Sequence, residues 1–115
     1  EADISKEVDD IHRDEYRPRV SFIEDPPEKI AANATLSFLL SAEGRFAIKQ
    51  VDVFLNNKLL GTLRGAPYRF SADLSKVDNL SDTSLISIRI YDAVGNSSAI
   101  TRNIDICFAG NENCL

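Results

Sequence analysis

From Val20 to Ile106 the chain shows short runs in which apolar residues recur at every second position, and this alternation constrains the fold more than any other feature of the sequence. Successive side chains of an extended strand point to opposite faces, so an alternating run buries one face and exposes the other. Val20 and Phe22 open the series. Leu36, Phe38, Leu40 and Ala42 form the next run, and Val51, Val53 and Leu55 the one after it. A short run over Lys58 to Leu63 follows, then Tyr68, Phe70 and Ala72. Ile86, Ile88 and Ile90 alternate most cleanly, and Ile100, Ile104 and Ile106 close the series. No segment after residue 20 carries a long helical period. Several short alternating runs cut by turn residues predict an all-β chain, a two-sheet sandwich of about seven strands.

The punctuation agrees with the runs. Pro26-Pro27 stops the first strand, the second ends near Gly44, and Gly65-Ala66-Pro67 breaks the fourth. Asn56-Asn57 suits a tight hairpin, because Asn tolerates positive φ. Residues 75–83 are polar and read as a loop, with one helical turn at Leu74–Val77. Asp92 to Asn96 reads as a hairpin loop in which Gly95 can take positive φ. One residue conflicts with the pattern. Arg102 shares parity with Ile100, Ile104 and Ile106, so a straight strand would turn it inward; a β-bulge near Thr101–Asn103 or an edge location is expected.

The chain accordingly divides into a charged arm or linker over 1–19, a sandwich over 20–106 and a tail over 107–115. In the arm, Ile4, Val8 and Ile11 recur at helical spacing, which fits a short amphipathic helix as well as a linker or docking arm. Pro18 ends any such helix. The chain begins at Glu1 and contains no Met, as expected of a mature region or fragment cut from a longer precursor.

Charge narrows the partners. The formal net charge is −5, and an acidic surface repels phosphate backbones and anionic lipid, so no nucleic-acid partner is expected. No apolar run reaches membrane-spanning length, so no direct membrane insertion is expected. Cys107 and Cys114 are the only two cysteines. A disulfide between them would close the loop Phe108–Asn113 and imply an oxidising compartment; the alternative is two free thiols. Zinc would need further ligands, and the one histidine, His12, sits in the opposite tail.

Three blocks carry a family resemblance. Val51-Asp52-Val53-Phe54-Leu55-Asn56-Asn57-Lys58-Leu59-Leu60-Gly61-Thr62 resembles the strand–turn–strand of bacterial immunoglobulin-like (Big) domains. Ala66-Pro67-Tyr68-Arg69-Phe70 is similar to their following strand, and Ile88-Arg89-Ile90-Tyr91-Asp92-Ala93-Val94-Gly95-Asn96 to their late hairpin. The resemblance spans residues 18–106 and implies an immunoglobulin-like two-sheet sandwich. It also implies an extracytoplasmic setting: cell surface, periplasm or secreted. One setting it includes is the C-terminal accessory module of peptidoglycan-synthesising penicillin-binding proteins. It carries no shared catalytic residues, and fold alone does not give function.

No reactive constellation stands out. His12 lies in the arm, whereas triad-type catalysis needs a positioned and oriented base. The carboxylates Asp9, Asp10, Glu24, Asp25, Asp73, Asp92 and Asp105 follow no calcium-loop spacing, and Asp92 is expected to accept backbone N–H groups of its own hairpin. No catalytic residue, metal or cofactor is therefore expected. Asn33-Ala34-Thr35, Asn79-Leu80-Ser81 and Asn96-Ser97-Ser98 are glycosylation sequons that also serve as ordinary turn residues. Leu39, Phe54, Leu85 and Tyr91 have outward parity, and Phe54, Leu39 and Tyr91 are the candidate interaction patch. Two function classes follow. The first is a non-catalytic module that spaces, orients or docks a larger cell-surface protein, with that protein's other domains or another surface protein as partners. The second is a carbohydrate-binding module for cell-wall glycan, weakened by the absence of Trp.

Overall fold

Two adjacent prolines shape the start of the sandwich. The structure, a computed structural model, describes residues 16–108. Strand β1 (Arg19–Glu24) pairs antiparallel with β3 (Thr35–Glu43). After Pro26-Pro27 the chain crosses to the other sheet, where the three-residue β2 (Lys29–Ala31) runs parallel to β8 (Ser97–Cys107). Proline has no N–H to give to a ladder, so the pair ends one strand and lets the chain change sheets. The alternation predicted about seven strands and left β2 as loop; three residues with one buried side chain, Ile30, are too few to show a period.

The remaining strands are β4 (Ile48–Leu55), β5 (Lys58–Leu63), β6 (Tyr68–Asp73) and β7 (Thr83–Asp92). They complete a three-stranded sheet in the order β1-β3-β6 and a five-stranded sheet in the order β2-β8-β7-β4-β5. The two hairpins form as expected. Asn56 and Asn57 take φ of 50° and 72° between β4 and β5, and Gly95 takes 92° between β7 and β8. A single 3-10 turn, Leu74–Lys76, follows β6. Asp73 caps it, accepting from Ser75 N at 3.0 Å and Ser75 Oγ at 2.7 Å. Those Ser75 hydrogen bonds hold the Asp73 carboxyl below the usual carboxylate range. Lys58 Nζ, 2.9 Å from Asp78, does the same for that residue.

The inward sets meet as predicted. Val51, Val53 and Leu55 of β4 lie directly opposite Ile90, Ile88 and Ile86 of β7, and all six are fully buried. The facing sheet supplies three rings. Phe22 and Phe38 meet edge to face with centroids 5.4 Å apart, and Phe38 stacks on Phe70 at 5.2 Å. Such pairs add to simple burial through their quadrupoles. At one end of the row, Gly61 of β5 leaves room for Phe70: a Cβ at Gly61 would stand 3.2 Å from Phe70 Cε1.

Arg102 closes the other end. Its register with Ile86 runs unbroken through Thr101 and Asn103, so β8 has no bulge there. The edge alternative applies instead. The short β2 pairs only with Asp105 to Cys107, which leaves β8 as the sheet edge at Arg102. From that edge the exposed guanidinium lies over the Phe22 ring, 4.7 Å from its centroid, and 3.7 Å from Asp25. The aliphatic stem covers apolar surface while the charge stays in water.

Truncating the middle ring tests the row. Phe38→Ala is expected to cost about 3–5 kcal/mol, the range for emptying a large buried ring site. Urea denaturation should show the midpoint falling with little change in slope. A loss below about 1 kcal/mol would mean that the row is not what joins the sheets.

Candidate functional site

Strand β7 buries Ile86, Ile88 and Ile90, so Ser87, Arg89 and Tyr91 project from the opposite, outer face of the five-stranded sheet. Register places Phe54 of β4 and Thr101 of β8 on either side of Ser87. It places Asp52 and Ala99 on either side of Arg89, and Gln50 and Ser97 on either side of Tyr91. Small side chains (Ser87, Thr101, Ala99 and Ser97) therefore lie among the larger Phe54, Arg89 and Tyr91. The result is a groove of about 370 Å³ lined by Phe54, Asn57, Ser87, Arg89, Tyr91, Ala99 and Thr101. Phe54 is in register with Ser87, four residues from Tyr91, so their backbone positions are roughly 13 Å apart along the strand.

The polar groups of this face divide into engaged and available. Asp52 is nearly buried, and its Oδ1 accepts from Thr62 Oγ1 at 2.7 Å and Gln50 Nε2 at 3.0 Å. Arg89, its cross-strand neighbour, is exposed and makes no ion pair or side-chain hydrogen bond among the described residues. The hydroxyls of Ser87 and Thr101 are likewise without hydrogen-bond partners among the described residues. The groove thus presents one free guanidinium and two hydroxyls between two aromatic rings.

Both ends of the sheet are tied by polar knots. At one end Asn56 Oδ1 accepts from Leu85 N at 2.8 Å, and its Nδ2 donates to Asn79 O at 2.9 Å and Ser84 Oγ at 3.1 Å. Asn79 Nδ2 donates to Leu55 O at 3.0 Å. At the other end the buried Asp92 accepts from Asn96 N at 2.8 Å and Val94 N at 3.1 Å, as its hairpin role predicts. Asn96 Nδ2 donates to Asp92 Oδ2 at 3.1 Å. Two of the three sequon amides, Asn79 and Asn96, are therefore engaged in the fold, whereas Asn33 is exposed.

The expected patch is split. Phe54 and Tyr91 share the groove, but Leu39 lies on the three-stranded sheet, where it lines a separate hollow of about 290 Å³ with Ile23, Ala66, Pro67 and Tyr68. Arg89, Ser87 and Thr101 join the site without having been singled out from the sequence. The outward parity shared by Ser87, Arg89 and Tyr91 was the signal that could have found them. Cys107 is buried at the end of β8. Its expected partner Cys114, His12, and the helical set Ile4, Val8 and Ile11 lie outside the described residues.

A family model described as a bacterial Ig domain matches residues 18–86. Among solved structures, the fibronectin(III)-like modules of CbhA from Clostridium thermocellum superpose with a TM-score of 0.68 at 20% identity, over 82% of this chain and 48% of that one. The spore cortex lytic enzyme SleM of Clostridium perfringens superposes with a TM-score of 0.56 at 21% identity, over 70% of this chain and 28% of that one. The chain thus spans about half the length of the first and little more than a quarter of the second. At these identities the likeness is one of fold. No curated protein matches the sequence.

The knot beside the groove gives a direct test. Asn56→Gly preserves the left-handed backbone but removes the side-chain bonds, and a loss of roughly 1–3 kcal/mol is expected. Asn57→Gly, at a position with positive φ and an exposed side chain, is expected to stay within about 0.5 kcal/mol of the parent in thermal or urea unfolding. Equal effects at the two positions would refute the role given to the Asn56 side chain.

Proposed function

Because the chain belongs to the bacterial Ig domain family, we propose that it is a non-catalytic accessory module outside the cytoplasm that holds the parts of a larger surface protein at a fixed spacing and orientation. The observation that supports this reading is the seating of residues 16–18. Tyr16 packs edge-on to Phe46 with centroids 6.2 Å apart, and the Arg45 guanidinium lies 4.4 Å from the centre of the Tyr16 ring. Pro18 is buried, and its carbonyl accepts from Ser98 Oγ. Gly44 makes room for it: a Cβ there would stand 3.1 Å from Pro18 Cα. A chain seated this way leaves the sandwich in a set direction, which suits a module that orients its neighbours. The partners in this reading are the other domains of the parent protein. A parent engaged in cell-wall synthesis, such as a penicillin-binding protein, is its narrower form and rests on the sequence resemblance alone.

The groove on the five-stranded sheet supports a second reading, a module that binds glycan. Aromatic rings beside free hydroxyl and guanidinium donors are groups that recognise sugar rings and their substituents. The extracytoplasmic setting is also the one in which we propose a Cys107–Cys114 disulfide. No cysteine among the described residues is free, and the chain contains only these two.

Two measurements test these readings. In ¹⁵N relaxation, the Tyr16 and Arg17 amides are expected to have order parameters near 0.85, like the strands, and to fall below about 0.6 in Gly44→Val while the strands keep theirs. Values already below about 0.6 in the parent protein would end the orienting proposal. For the disulfide, the unreduced protein is expected to take up no alkylating agent until a reductant is added. Uptake of two equivalents without reductant would show free thiols.

A further inference from the structure

We propose that the groove on the five-stranded sheet binds an acidic polysaccharide of the uronate class, with Arg89 holding a sugar carboxylate and Tyr91 and Phe54 packing on flanking sugar rings. This deepens the glycan-binding reading and rests on it. Arg89 is the starting point. Arg69 is committed to Glu24 at 3.1 Å, Arg102 covers Phe22, and Arg45 lies over Tyr16. Arg89 has no such engagement among the described residues, although Asp52 lies directly across the ladder; Arg19 and Arg64 share that freedom, but of the three only Arg89 lines the groove. Thr62 and Gln50 both donate to Asp52 Oδ1, and Arg89 makes no ion pair with Asp52 among the described residues, so the guanidinium fork faces solvent. A planar fork matches a carboxylate in bidentate fashion.

The rest of the groove selects the molecule that carries that carboxylate. Ser87 and Thr101 supply free hydroxyls beside Arg89, and Asn57 supplies an amide at the rim. These can exchange hydrogen bonds with sugar hydroxyls. Phe54 and Tyr91, whose backbone positions are roughly 13 Å apart along the strand, fit a ligand that extends across the face rather than one compact group. With no Trp in the chain, ring packing alone is a modest source of affinity, and the ion pair supplies the discrimination. A carboxylate borne on a hydroxyl-rich sugar chain meets both the guanidinium and the hydroxyls of the groove.

The test is an NMR titration of the ¹⁵N-labelled protein at low ionic strength with hexagalacturonate, cellohexaose and hexaglutamate. Hexagalacturonate is expected to give saturable shifts at Ser87, Arg89, Tyr91, Ala99 and Thr101, with weaker effects from the other two. Arg89→Ala should weaken binding roughly ten- to hundred-fold, the usual effect of losing a hydrogen bond to a charged group. Its spectrum should otherwise stay that of the parent, since the side chain is exposed. Arg89→Lys should recover only part of the affinity, because an ammonium lacks the fork. Tyr91→Ala should weaken hexagalacturonate more than hexaglutamate. Cellohexaose binding as tightly as hexagalacturonate would overturn the acidic assignment and leave the glycan reading standing. Hexaglutamate binding as tightly would show that charge alone is recognised and also overturn it. Failure of both sugars to bind would remove the proposal and the glycan reading together. Undiminished binding by Arg89→Ala would place the ligand elsewhere and overturn the site.

Discussion

Phe38 stands in the middle of a row of three phenylalanine rings, between Phe22 and Phe70, and the closure of the two sheets depends on that row. Each sheet has one apolar face, and neither face is stable until the other covers it. The rings share one core with Val20, Leu36 and Leu40 of their own sheet and with the fully buried Val53, Ile86 and Ile88 of the five-stranded sheet. Both ends of the row are matched to it. Gly61 gives up its side chain so that Phe70 can approach, and Arg102 lays its guanidinium over Phe22 where β8 is the sheet edge. A charge at an inward position is tolerated there because it shields an aromatic face from water and keeps its own hydration.

That packing makes the outer face of the five-stranded sheet a firm platform. β4, β7 and β8 are held in register by their buried isoleucines and valines, and their far ends are tied by the Asn56 and Asp92 knots. Groups on such a surface keep their spacing, so Phe54, Arg89 and Tyr91 can act as a fixed constellation. The seat of Tyr16 and Pro18 applies the same logic to the chain itself. It seats the entry to the first strand on the sandwich through one ring contact, one cation above a ring, and a glycine that leaves room for a proline. A rigid body with a set entry and a patterned face suits a module that serves the protein around it.

Much of this was legible in the chain because strand periodicity is local. The inward sets of β3, β4, β6, β7 and β8 follow from alternation alone, and both hairpins follow from residues that accept positive φ. β2 was not legible: three residues show no period, and its pairing partner is the last strand of the domain. Arg102 was recognised as a conflict, but parity could not distinguish a bulge from an edge, because edge status depends on how far β2 extends. Phe54, Tyr91 and Leu39 all have outward parity. Parity says only that a side chain leaves the core, and nothing about which of two sheets it leaves from, so Leu39 fell into the same set as residues on the opposite side of the sandwich.

By itself, then, the sequence determined the strand pattern, the turns and the inner faces, since each is written in spacings of two to five residues. The tertiary structure decided which strands are neighbours and which outward residues meet. Ser87 meets Thr101 across the β7–β8 ladder, and Phe22 meets Arg102 across the two sheets; neither contact is written in local spacing. The groove belongs to this second group. Its residues come from three strands and one turn, and only the placed side chains show that Arg89 makes no ion pair with Asp52 opposite it.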